Sequence, residues 1–98
     1  MELELTDIAK EDIKFFVKSG QSNIVKKIEK LLISIKETPF NGIGKPEPLK
    51  YEYSGKWSRR IDGVHRIVYG VENNTIYIYS ARGHYVWSLF QVFIFVCE

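Results

Sequence analysis

The chain has 98 residues, 45% of them hydrophobic and 27% charged, with a net charge of +2. That is the composition of one small globular domain with a modest core, and it excludes a disordered or fibrous chain. Cys97 stands alone, which excludes an intrachain disulfide and a cysteine-based metal site.

Met1–Leu5 reads as a short strand, and its alternation of apolar and acidic residues is unlike a signal peptide, so a cytoplasmic location is the expectation. Thr6 or Asp7 can cap a first helix running to about Lys18, with Ser19-Gly20 as its stop. Ala9, Ile13, Phe16 and Val17 fall on its apolar face. In the second helix Ile24, Ile28, Leu31 and Ile35 recur at helical spacing, and Val25 and Leu32 widen the stripe. Lys26, Lys27, Glu29 and Lys30 take the other side, and Thr38-Pro39 ends the helix. The short link between the helices predicts an antiparallel pair.

Phe40–Lys45 is a loop containing Gly42 and Gly44, and beyond it the hydrophobic period changes to two. Leu49–Tyr53, Lys56–Asp62, His65–Val71 and Thr75–Arg82 read as four strands. Ser54-Gly55, Asp62-Gly63 and Glu72-Asn73-Asn74 separate them with turn residues. Hairpin-length links predict an antiparallel sheet. The fold class is therefore α+β, an N-terminal antiparallel helix pair packed on an antiparallel β-sheet.

Charge is unevenly spread. Residues 1–44 carry seven Lys/Arg and seven Asp/Glu, whereas residues 45–84 carry seven against four, a net of +3. A locally basic surface suits a polyanionic partner, although solvation of an ordinary surface explains the charge equally simply. The same half holds a carboxylate, several cations, a histidine and an aromatic residue, the groups needed to cut RNA by attack of its own 2′-hydroxyl. His65 and His84 are far apart and no acidic cluster accompanies either, so metal-assisted chemistry is disfavoured and no cofactor is expected.

Glu47 lies between Pro46 and Pro48, which hold Lys45 and Glu47 on a stiff, extended segment. Such stiffness suits a base that must meet one hydroxyl; the alternative is a surface turn with Glu47 paired to Lys45 or Lys50. Alternation puts Trp57, Arg59 and Ile61 on one face of their strand, and Ser58, Arg60 and Asp62 on the other. In the next strand Ile67, Tyr69 and Val71 face the core, leaving Arg66 and Val68 opposite. An arginine fork can bind two phosphate oxygens; cross-strand salt bridges to Asp62 or Glu52 are the competing role. His84 has the proton affinity of an acid at neutral pH, Tyr85 can stack on a base, and His65 beside Gly63 reads as structural.

Order and spacing add a resemblance. Ile24-Val25-Lys26-Lys27-Ile28, Thr38-Pro39-Phe40, Gly42, Gly44-Lys45-Pro46-Glu47-Pro48-Leu49-Lys50, Ser54-Gly55, Trp57-Ser58-Arg59-Arg60-Ile61, His65-Arg66, Val68-Tyr69 and His84-Tyr85 resemble the YoeB/Txe family of bacterial toxins, a branch of the RelE-like microbial ribonuclease fold. The resemblance implies a type II toxin–antitoxin toxin that cuts mRNA in the ribosomal A site and stops translation. It implies Glu47 as general base, His84 as general acid and Arg66 as stabiliser of the phosphorane. Lys50, Arg60 and Tyr85 would position the RNA, with no metal. The expected partners are mRNA on the ribosome and a cognate antitoxin with an acidic, partly disordered segment; a homodimer is a further expectation, and a membrane is not.

Two features depart from the family pattern. Gly83 precedes His84 where a held backbone would serve an acid better, and an apolar tail of thirteen residues, 86–98, follows Tyr85. The tail falls short of the about 20 residues of a membrane helix, and Val92–Val96 is an aggregation hazard if exposed. Packing on the domain or a partner is the favoured reading; an inert extension and a cover over His84 are the others. The chain thus divides into a toxin domain, 1–85, and an extension, 86–98. Removing residues 87–98 is expected to leave a soluble, active domain, and an insoluble product would make the tail part of the core or of a dimer. The competing function is a non-catalytic interaction protein of the same fold, binding an antitoxin-like partner or a ribosome without cutting.

Overall fold

The computed structural model describes residues 1–82. His84, Tyr85, Gly83 and the tail lie outside the described residues. In chain order the elements are β1 (Glu2–Leu5), α1 (Asp7–Lys18), α2 (Ser22–Glu37), β2 (Glu47–Pro48), a short 3₁₀ turn (Tyr51–Tyr53), β3 (Lys56–Arg60), β4 (Arg66–Glu72) and β5 (Thr75–Ser80). Of the two candidate caps, Thr6 starts α1: its Oγ1 accepts from the Ala9 amide and donates to the Tyr79 carbonyl, so one hydroxyl ends a strand and begins a helix. Ser19 caps the other end and Gly20 turns the chain at φ 73°.

Ala9 and Phe16 of α1 and Ile28, Leu31 and Ile35 of α2 bury their side chains against Ile67, Tyr69, Ile76 and Ile78 of the sheet. This is the helical stripe meeting the alternate residues of β4 and β5. Val17, expected on that apolar face, is 57% exposed, because it lies a turn edge away from the Ala9–Phe16 line. Among the described residues no helix is long and apolar enough to cross a membrane.

The strand order is β1-β5-β4-β3-β2. From β5 to β2 all pairs are antiparallel, as hairpin links require, and β1 joins β5 in parallel, making the sheet mixed. Asn73 and Asn74, both at positive φ, close the β4–β5 hairpin in the geometry that matches strand twist.

Two local expectations fail. Leu49–Tyr53 is not a strand: Tyr51 takes φ 59° and the chain curls into the 3₁₀ turn, while the strand pairing falls on Glu47–Pro48. Lys45 is not extended either, with φ 51°. It follows Gly44 at φ 84°, so two left-handed residues make the sharp bend that aims Glu47 at the sheet. Gly44 is also boxed in: a Cβ there would come within 2.6 Å of Leu31 Cδ2 and 3.3 Å of the Arg60 carbonyl oxygen. Its own carbonyl accepts from the Arg60 amide at 2.7 Å, which fixes the loop to β3.

Candidate active site

Register decides which side chains meet. Glu47 lies opposite Ser58, Ser58 opposite Val68, and Arg60 opposite Arg66. Directly opposed residues share a face. Glu47, Ser58, Arg60, Arg66 and Val68 therefore occupy the face turned away from the helices, and Trp57, Ile67 and Tyr69 the core face.

Arg66 Nη1 donates to Glu47 Oε1 at 3.1 Å and to Ser58 Oγ at 3.2 Å. The Glu47 side chain is 58% exposed and that of Arg66 19%. An exposed pair of this kind adds at most about 1 kcal/mol to stability. Neither expected partner of Glu47, Lys45 or Lys50, is the one it takes. Arg60 is exposed at the next position across β3 and β4, directly opposite Arg66. Like charges at opposed strand positions repel, which leaves Arg60 suited to a bound anion. Lys50 is exposed at the end of the Pro-Glu-Pro segment. Of the six expected site residues, Glu47, Arg66 and Arg60 thus come together, and Lys50 lies three residues beyond Glu47 along the same segment. His84 and Tyr85 lie outside the described residues.

Arg59 has a different role from either one foreseen for it. It is fully buried, and every one of its N–H groups has an acceptor. Nε donates to Tyr69 Oη at 3.0 Å, Nη1 to Ser34 Oγ at 2.7 Å and the Ile43 carbonyl at 3.1 Å, and Nη2 to the Thr38 and Asn41 carbonyls at 2.6 and 2.8 Å. The guanidinium is a staple that holds the loop after α2. Tyr69 completes it by donating to the Pro39 carbonyl at 2.6 Å; burial raises the phenol's pKa, and Arg59 opposes that rise. Asp62 is not paired with an arginine. Its Oδ1 accepts from the Val64 and His65 amides and shapes the β3–β4 turn. His65 packs edge-on against Phe16 at 5.0 Å, as a structural residue does.

Sequence reasoning passed over Asp12. It is buried, and its Oδ2 accepts from the Ala81 amide at 2.9 Å, tying α1 to the strand end just ahead of His84. Its signal was an acidic residue between Ala9 and Phe16 on the buried side of a helix. Arg82, next in the chain, lies over the Phe15 ring at 3.8 Å.

Relatives share both the sequence and the fold. Residues 5–85 match the family described as YoeB-like toxin of bacterial type II toxin-antitoxin system. The Toxin YoeB of Streptomyces coelicolor is 42% identical over 85 residues, covering 87% of this chain and 100% of that protein. The solved YoeB/ParE toxin from Agrobacterium tumefaciens superposes with a TM-score of 0.81 at 40% identity, covering 87% of this chain and 100% of that one. A YoeB-YefM complex from Staphylococcus aureus contains a chain with a TM-score of 0.76 at 43% identity, covering 87% and 98%, and a YoeB dimer from the same organism gives the same values. With a family match over residues 5–85, a full-length relative and a matching fold, this chain belongs to the YoeB-like toxins of bacterial type II toxin–antitoxin systems.

Proposed function

We propose that the chain is a ribosome-dependent, metal-independent endoribonuclease that cuts mRNA in the ribosomal A site. The observation that carries this reading is the Glu47 carboxylate held against Arg66, with Arg60 facing Arg66 across the strands. A base in contact with one arginine fork, on the sheet face turned away from the helices and with a second arginine at the opposed strand position, supplies the groups of a transesterification site. The small stabilising value of the exposed pair argues against a purely structural purpose.

In the reaction Glu47 takes the proton of the 2′-hydroxyl. The 2′-oxygen attacks the adjacent phosphorus, and Arg66 balances the charge that grows on the phosphorane oxygens. The bond to the 5′-oxygen breaks, and His84 gives that oxygen its proton. The products are a 2′,3′-cyclic phosphate, or the 3′-phosphate after hydrolysis, and a 5′-hydroxyl. Lys50 and Arg60 hold flanking phosphates and Tyr85 stacks on a base.

The partner that restrains the toxin is an antitoxin, in line with the S. aureus YoeB-YefM complex, and self-association follows the S. aureus dimer. The place of action is the cytoplasm, where ribosomes and mRNA are, and the toxin unit is residues 1–85 with the tail as an addition. The test is product mapping on ribosome complexes with a defined codon in the A site. The wild type is expected to give one cut there with a cyclic-phosphate end, and His84→Ala to lose it. A well-folded wild type that leaves the mRNA intact would point instead to the non-catalytic interaction protein.

A further inference from the structure

One pleat beyond Ser58 and Val68 on the face of Glu47, Lys56 of β3 lies opposite Gly70 of β4, and Gly70 opposite Tyr77 of β5. Successive positions on one face are about 7 Å apart along a strand. Tyr77 and Tyr79 are both partly exposed and alternate with the fully buried Ile76 and Ile78, so both rings belong to this outer face. Their centroids are 6.4 Å apart with the planes 28° from parallel. The Tyr79 ring reaches over Gly70, where a Cβ would meet its Cε2 at 3.3 Å, so a side chain there would push the ring out by a few tenths of an ångström. Lys56 Nζ lies 5.1 Å from the Tyr79 ring centroid.

Among the described residues, the rings lie on the face opposite the core cluster. The rings add nothing to the core, which lies on the other face, yet two aromatics, a glycine and a cation from three strands are assembled in continuity with the candidate cleavage site. Bases of single-stranded nucleic acid stack on such rings while a lysine meets the phosphate, and aromatics on an open sheet are a recurring RNA platform. The cations on this face, Lys56, Arg60 and Arg66, form a strip along β3 and β4, and Glu72 bounds it at the far end. Three cations against Glu47 and Glu72 leave the face net positive, which favours a polyanion over an apolar partner.

We infer that Tyr77 and Tyr79, with Lys56, form a stacking subsite for a nucleotide of the mRNA flanking the cut. The inference rests on the nuclease reading above and extends its RNA track along the sheet. Tyr79 is a positioning residue, so its loss weakens RNA binding and raises KM while kcat is largely kept.

The experiment uses the full chain and a fluorescent octanucleotide of single-stranded RNA with 2′-O-methyl groups, which block the attack. Fluorescence anisotropy is read over a range of salt, beside A-site cleavage kinetics. Tyr79→Leu is expected to weaken binding about ten-fold and Tyr79→Phe to retain it, because stacking needs the ring and not the hydroxyl. Lys56→Gln is expected to lower the salt slope by about 0.7, the share of one phosphate. Thermal melting checks that each variant is folded. If the wild type cuts A-site mRNA while Tyr79→Leu binds and cuts as it does, the platform is overturned and the nuclease stands. Equal loss in Leu and Phe variants would also overturn it, since the hydroxyl would then be the contact. A wild type that neither cuts nor binds the octamer removes the nuclease reading and the platform with it.

Discussion

Replacing Glu47 by glutamine is expected to slow A-site cleavage by about 10²- to 10⁴-fold, the range for losing a general base. Glutamine keeps the size and shape of the side chain between the two prolines. Its amide oxygen can still accept from Arg66 Nη1, so the contact at 3.1 Å and the register of β2 on β3 are preserved. The change in stability should stay below about 1 kcal/mol, because the pair is exposed. A folded enzyme with its chemistry removed is therefore the expected result. Arg66→Ala should cost about 10²- to 10³-fold, the scale for removing one donor to a developing oxyanion. In the proposed reaction Glu47 and Arg66 serve the same step, so the double variant should lose less than the product of the two factors. Single-turnover cleavage measures each rate. Near-wild-type cutting by Glu47→Gln would dismiss Glu47 as the base.

The largest effect on stability is expected one residue away from the candidate site, at Arg59. Truncation to alanine removes five hydrogen bonds at once and leaves the Thr38, Asn41 and Ile43 carbonyls and the Ser34 and Tyr69 hydroxyls without that donor. Stranding one buried polar group costs about 1–3 kcal/mol, and local relaxation recovers part of the sum. A loss of roughly 4 kcal/mol follows, against a total of about 5–15 for a domain of this size. The melting temperature should fall by on the order of 20 °C. Lysine should rescue little, since its ammonium is a point donor and cannot span acceptors on three sides. Urea titration of the wild type, Arg59→Lys and Arg59→Ala decides the matter. A shift under about 1 kcal/mol would show that the loop holds itself. Arg60→Ala in the same titration should be near neutral, since that side chain is exposed.

The contrast between neighbouring arginines shows how far the residues speak before folding. The α2 stripe, the Thr6 cap, the hairpin links and the two faces of β4 are local properties, and they were legible. The face that collects Glu47, Arg60 and Arg66 was legible only in part: alternation set Arg66 opposite the core residues of β4, but the pairing of Glu47 with Ser58 came with the structure. Arg59 was not legible. Its acceptors are carbonyls of a loop about 20 positions earlier, and carbonyls are the same in every sequence. The available clue was its place in the Trp57–Arg59–Ile61 set, all on the inward face. The 3₁₀ turn at Tyr51 was hidden because Lys50–Tyr53 alternates like a strand, and only backbone geometry separates the two. The parallel pairing of β1 was hidden for the opposite reason, since its partner is more than 70 positions away.

That last pairing governs when the sheet can be completed. Glu2–Leu5 aligns with Thr75–Ile78, the Thr6 amide donates to the Ile78 carbonyl, and Asp12 waits for the Ala81 amide. Residues 2–12 are thus completed by the stretch around residue 80. Contacts of such separation form late, because the chain must close a long loop before gaining from them. On a translating ribosome the helix pair can emerge and pack, but the sheet gains its β1 edge only when β5 has been made. The sheet is therefore completed, at the edge opposite β2, only after residues 75–81 have joined the chain, so a nascent chain ending before Thr75 is expected to leave β1 unpaired.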